Sequence, residues 1–115
     1  MILPLPPSKN ASHDNNGRGG KILSAATRAF RTHVKFLATT ALHGRIFTGP
    51  VRMEVDVYFP NGRYDCANMV DQFMDGMQFA RVLVNDRQAK DFRFREMRER
   101  VKHGKVVATI VALPA

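Results

Sequence analysis

Four carboxylates, Asp65, Asp71, Asp75 and Asp86, sit in the stretch RYDCANMVDQFMDGMQFARVLVND at 63–86, and residues 65–86 set only Arg81 against them. The chain on either side is basic. Residues 1–64 hold nine Lys and Arg against three Asp and Glu, and residues 87–115 hold eight against three. A basic body favours a polyanion, whereas clustered carboxylates repel one unless a divalent cation stands between them. The pattern points to a metal-dependent enzyme acting on nucleic acid. A plainer account exists for Asp71 and Asp75, which at i, i+4 also fit an ordinary solvated helix face.

A chain of 115 residues with net charge +8 makes one domain, residues 1–115, near the size at which a dimer interface often adds stability. Its charge selects nucleic acid, an anionic membrane surface or an acidic protein as partner. No apolar run reaches the length of a membrane span, and the opening MILPLPP lacks the basic and long apolar regions of a signal peptide. A cytoplasmic protein without membrane contact is expected. Cys66 is the single cysteine, which leaves no intrachain disulfide and no cysteine cluster for zinc. A small, partly buried thiol is its expected role.

The elements that must position the acidic stretch follow from periodicity. Ile2 to Leu5 predicts a short edge strand stopped by Pro6-Pro7. Residues 8–20 (SKNASHDNNGRGG) read as a mobile basic loop, in which Lys9 and Arg18 either contact phosphate or belong to a plain connector; no GK[ST] follows, so it is not a P-loop. Ser24 predicts the N-cap of a helix to about Leu42, with Ala26, Phe30, Val34, Leu37 and Ala41 on its buried face. Arg28, Arg31 and Lys35 form a basic stripe on another face. Strict alternation over Val51–Phe59 predicts a half-buried strand, with Asp56 on its polar side. Pro60-Asn61-Gly62 then turns the chain and delivers Arg63, Tyr64 and Asp65. Asn68 predicts the cap of a second helix of about twelve residues, with Met69, Val70, Phe73, Met74 and Met77 on the apolar side and Asn68, Asp71 and Asp75 opposite. Phe92 to about Arg98 and Val106 to Leu113 read as a hairpin. The second of these strands is apolar on both faces, as a central strand covered on both sides would be. The order β, α, β, α, β, β gives an α+β fold, a mixed sheet with two main helices packed on it.

Four pieces of the sequence resemble the RusA-type endonucleases that resolve Holliday junctions. LPLPPSKN at 3–10 is similar to the family's opening Leu-Pro-x-Pro-Pro-Ser-x-Asn, and PVRMEVDVYFP at 50–60 to its strand before the active-site loop. RYDCAN at 63–68 is similar to its Arg-x-Asp-x-Asp-Asn, and VNDRQ at 84–88 to its Asp-Asp-x-Gln. The resemblance covers most of the chain with the spacing from Asp65 to Asp86 intact. It implies a small homodimer acting on branched DNA such as a four-way junction, in recombination and repair, with a Mg²⁺-dependent site (Mn²⁺ as substitute) in each subunit and no small-molecule cofactor. Two sites related by a two-fold axis would match the junction's own symmetry.

Two positions depart from the family pattern. Its second aspartate falls on Ala67, and its lysine falls on Asp71. On the resemblance, Asp65 and Asp86 are metal ligands, Asp71 is a substitute ligand one helical turn beyond Ala67, and Asn68 orients a water or a phosphate; Asp56 is a further candidate ligand. Lys9, Arg18, Arg28, Arg31, Lys35 and Arg63 are the expected DNA contacts. The competing reading is a protein that keeps the fold and the basic surface and binds branched DNA without cutting it.

Overall fold

The computed structural model describes residues 1–8, 13–15 and 21–114, of which 13–15, 21 and 22 are described by backbone alone. Lys9 and Arg18 lie outside the described residues. Among the described residues the strands and α-helices follow in the order β1 (Ile2–Leu3), β2 (His13–Asn15), β3 (Lys21–Leu23), α1 (Ala25–Leu42), β4 (Val51–Tyr58), α2 (Val70–Phe79), β5 (Ala89–Glu96) and β6 (Lys105–Ala112). The segment read as a loop contains β2, which pairs antiparallel with β3, His13 opposite Leu23.

The main sheet has the order β1-β6-β4-β5. β4 pairs antiparallel with β6 and parallel with β5, so β5 and β6 do not form the expected hairpin. Side-chain burial explains why β4 takes the place between them. Val51, Met53, Val55 and Val57 are all fully buried, whereas β5 carries Lys90, Asp91, Arg93 and Arg95, all exposed, and belongs at an edge where charge is solvated. The connection from β5 to β6 runs past the end of β4, where the Met97 N–H donates to the Val57 carbonyl at 2.8 Å and that of Val101 to Phe59 at 3.3 Å.

Both helices lie on one face of the sheet. Phe30, Val34 and Ala38 of α1 and Phe73, Met74 and Met77 of α2 share one core with Leu3, Met53, Val55, Val57, Val106 and Ala108. The alternate residues of β6 are left uncovered, Thr109 exposed and Val111 47% exposed, which corrects the expectation of a strand covered on both sides. Cross-strand pairs populate that open face instead: Arg52–Asp91 at 2.9 Å, Arg95–Asp56 at 2.7 Å, and the Lys105 ammonium 4.8 Å from the Tyr58 ring.

Helix α1 begins where predicted. The Ser24 hydroxyl accepts from the Thr27 N–H at 3.1 Å, and His43 closes the helix in the left-handed conformation, φ 52°. Its buried face is Thr27, Phe30, Val34 and Ala38; Ala26 and Ala41 are exposed, because the 3.6-residue repeat drifts off a face written with small residues at both ends. Helix α2 approaches α1 closely through Gly76, where a Cβ would stand 2.9 Å from the Phe30 ring.

Candidate active site

Asp65 is reached through a sequence of local constraints. Past β4, the Asn61 side chain accepts from the Arg63 N–H at 2.9 Å, an Asx turn. The Arg100 guanidinium donates to the Asn61 carbonyl at 3.0 Å and stands 3.7 Å from Glu96, tying the turn to the end of β5. Tyr64 then stacks on buried Phe59, rings 4.9 Å apart and 9° from parallel. The next residue, Asp65, is thereby held at the rim of the sheet.

Asp65 caps a 3-10 turn, Cys66–Met69, that leads into α2. Its carboxylate accepts from the Ala67 N–H at 3.1 Å and from the Asn68 side-chain amide at 3.3 Å. The cap expected at Asn68 is thus three residues earlier, since an aspartate in extended backbone can take the free N–H of the first turn. Asn68 instead points its amide at Asp65. The pair opens on a cleft of about 350 Å³ lined by Pro6, Pro7, Ser8, Arg63, Tyr64, Asp65, Asn68 and Met69. The Pro-Pro-Ser segment therefore meets the Asp65 loop across about half of the chain's length. One residue before it, Leu5 packs over the turn at Gly104, φ 70°, where a Cβ would fall 2.2 Å from the Leu5 Cδ1.

Asp86 stands in a second 3-10 turn, Asp86–Gln88, capped by Asn85, whose side chain accepts from the Arg87 N–H at 2.8 Å. Gln88 fixes this turn to the rest of the domain. Its Oε1 accepts from the N–H groups of Val84 and Asn85 at 2.7 and 2.9 Å, and its Nε2 donates to the carbonyls of Phe47 and Gly49 at 2.7 and 2.9 Å. Both 3-10 turns contact α2. Asp86 is exposed and is not among the residues lining the Asp65 cleft.

The other expected site residues are dispersed. Asp71 is exposed in the first turn of α2. The four-residue spacing from Ala67 does not carry it to the cleft, because Ala67 lies in the 3-10 turn and not in the α-helix. Asp75 stands 3.8 Å from Arg31. Asp56 is bonded to Arg95 on the open face of the sheet, which removes it as a ligand. Of the basic stripe, Arg28 turns back to the Leu23 carbonyl, while Arg31 and Lys35 both flank the Phe79 ring. Of the described residues expected to contact DNA, Arg63 alone shares the cleft with Asp65 and Asn68.

Among the described residues, no three His, Cys, Asp or Glu side chains gather closely enough to hold a metal ion, so Asp65, Asp71 and Asp86 are not a three-carboxylate cage. What Asp65 and Asn68 do offer is hard oxygen donors on an open cleft. That suits the mode in which Mg²⁺ is held by one or two carboxylates, waters and the phosphate oxygens of a substrate. The thiol of Cys66, next to Asp65, is pushed up from its ordinary value by burial, then by the negative charges of Glu96 and Asp65; it stays protonated and unreactive at neutral pH. Glu96, Arg100 and Gln88 are the positioning residues that sequence reading passed over. Gln88 was signalled by the VNDRQ segment, whereas only the crossing of 97–104 past β4 brings Arg100 to Asn61.

The fold and the cleft together define a small basic α+β protein that presents a carboxylate and an arginine in one cleft, on the loop that follows the central strand β4. The model of the endodeoxyribonuclease RusA family matches residues 4–110, and the chain belongs to that family. No curated protein matches it.

Proposed function

We propose that this protein is a divalent-cation-dependent endodeoxyribonuclease that cuts branched DNA, four-way junctions above all, in recombination and repair. The observation that carries this reading is the meeting of Pro6-Pro7-Ser8, Arg63, Asp65 and Asn68 in one cleft. Arg63 would hold a backbone phosphate beside Asp65, and Asn68 keeps the Asp65 carboxylate in one orientation. Asp65, with Asp86 as the second carboxylate, would hold Mg²⁺ or Mn²⁺, which supplies a deprotonated water and neutralises charge developing on the phosphate. The net charge of +8 supplies the sequence-independent part of DNA affinity. No helix among the described residues is long and apolar enough to cross a membrane.

The test is cleavage of a synthetic four-way junction with Mg²⁺ or Mn²⁺ by the natural protein and by Asp65→Asn. Cutting that Asp65→Asn abolishes while binding persists is the expected outcome. Ala67 and the lack of a three-acid group among the described residues favour the second reading, a branched-DNA binder that does not cut; tight binding without cleavage in either metal would establish it. The chain would act as a homodimer, for which the uncovered face of β6 and the outer edge of β5, unpaired among the described residues, leave room. A monomeric mass by light scattering at micromolar concentration would remove paired cutting from the proposal.

A further inference from the structure

We propose that Phe79 is a stacking platform for an unpaired nucleobase, with Arg31 and Lys35 as its phosphate contacts. Phe79 ends α2 and is 46% exposed, whereas Phe59 and Phe73 are fully buried. Its ring is not idle surface. The Arg31 guanidinium and the Lys35 ammonium, one turn apart on α1, each stand 5.9 Å from the ring centroid. That is the outer limit of cation–π reach, about 6 Å, and the ring keeps its exposure with both cations beside it. Beside it lies an open hollow of about 480 Å³ lined by Arg31, Asp75, Gln78 and Phe79.

Arg31 is incompletely used in this arrangement. Its nearest carboxylate, Asp75, is 3.8 Å away, beyond hydrogen-bond distance, and its Nε is buried with no acceptor among the described residues. Arg28, by contrast, spends its guanidinium on the Leu23 carbonyl. Arg31 and Asp75 line the hollow and Lys35 stands at the Phe79 ring beside it, two cations to one carboxylate around the ring, which favours an anion there, and the Gln78 amide offers a donor and an acceptor to a base edge. An aromatic face bordered by cations is what a single strand requires: the base stacks and the backbone lies along the charges. A paired duplex keeps its bases inside and cannot use the ring. Helix α2 has ten residues, about 15 Å at 1.5 Å per residue, so the platform stands one short helix from the loop that carries Asp65. A branch held at the cleft would place an unpaired nucleotide within reach. This use of the platform at a branch rests on the nuclease reading, whereas single-strand binding by Phe79 does not.

Fluorescence anisotropy with a short labelled oligothymidylate and a fully paired hairpin duplex tests the proposal on the natural protein, Phe79→Leu and Phe79→Tyr. Leu keeps apolar bulk against α1 and removes the π face, and Tyr keeps the face. Phe79→Leu is expected to weaken oligothymidylate binding roughly tenfold or more while leaving duplex binding and the salt slope unchanged; Phe79→Tyr is expected to bind like the natural protein. Equal oligothymidylate affinity for Phe79→Leu and the natural protein, or equal losses on both probes, would overturn it. So would a change in mass of Phe79→Leu by light scattering, which would make the patch a contact between copies. A protein that never cuts a junction yet loses oligothymidylate selectively in Phe79→Leu would retain the platform and refute the nuclease reading. One that cuts junctions and shows no effect of Phe79→Leu would do the reverse.

Discussion

Replacing Gln88 tests whether the second 3-10 turn, and with it Asp86, is held by one side chain. The amide makes four hydrogen bonds, two accepted from Val84 and Asn85 and two donated to Phe47 and Gly49. At a net 0.5–1.5 kcal/mol each, discounted because the residue is only half-buried and water can reach part of the turn, Gln88→Ala should cost about 2–3 kcal/mol. Urea unfolding followed by far-ultraviolet circular dichroism measures this as a lower midpoint at unchanged slope. Gln88→Glu separates the two halves of the interaction. It keeps an acceptor for the Val84 and Asn85 N–H groups and sets a carboxylate oxygen against the carbonyls of Phe47 and Gly49. That repulsion favours the protonated acid in the folded state, so its folded pKa must lie above the unfolded value of about 4.3. The contribution of residue 88 in this variant is then complete below pH of about 4.3 and is lost as pH rises through the folded pKa. Relative to the natural protein, Gln88→Glu should gain stability on acidification from neutral pH. Well below its melting range, Gln88→Ala should also bind junctions normally and cut them about a hundredfold more slowly, the cost of a displaced group at a reacting centre. Natural stability in Gln88→Ala, or a pH-independent deficit in Gln88→Glu, would refute the assignment.

Ala67→Asp should raise Mg²⁺-dependent junction cleavage, since it adds a carboxylate two residues from Asp65, whereas Asp71→Asn, lying outside the cleft, should leave cleavage within a few-fold of natural; both are read on a gel under single-turnover conditions. Gly104→Ala should destabilise by roughly 1–2 kcal/mol from the left-handed backbone alone, with more from the contact to Leu5, and thermal unfolding measures the total. The raised pKa of Cys66 stabilises the folded state fully below the ordinary thiol value of 9.0 and is lost as pH rises through the folded value. The natural protein should lose more stability than Cys66→Ser as pH rises above 9.0, and iodoacetamide should modify Cys66 slowly at neutral pH.

By itself the sequence determined the elements whose signals are local. The Ser24 cap and the extent of α1, the alternation of β4 and the Asn61-Gly62 turn depend on neighbours within a few residues, and each appears where its pattern lies. The Asp65 and VNDRQ segments were legible as well, because they are contiguous and their residue types are unusual for a basic chain. Strand order was decided by the tertiary structure. A strand's pattern reports which residues are buried but not which partner buries them, so β5 and β6 read as a hairpin although β4, with the most completely buried face, takes the place between them. The membership of the site was likewise decided at long range. A 3-10 turn in place of the first helical turn moved the cap to Asp65 and left Asp71 outside, Arg95 removed Asp56, and Arg100 and the Pro6–Ser8 segment reached the Asp65 loop only through packing. Side chains separated by dozens of residues carry no shared period, and only the path of the folded backbone brings them to one cleft.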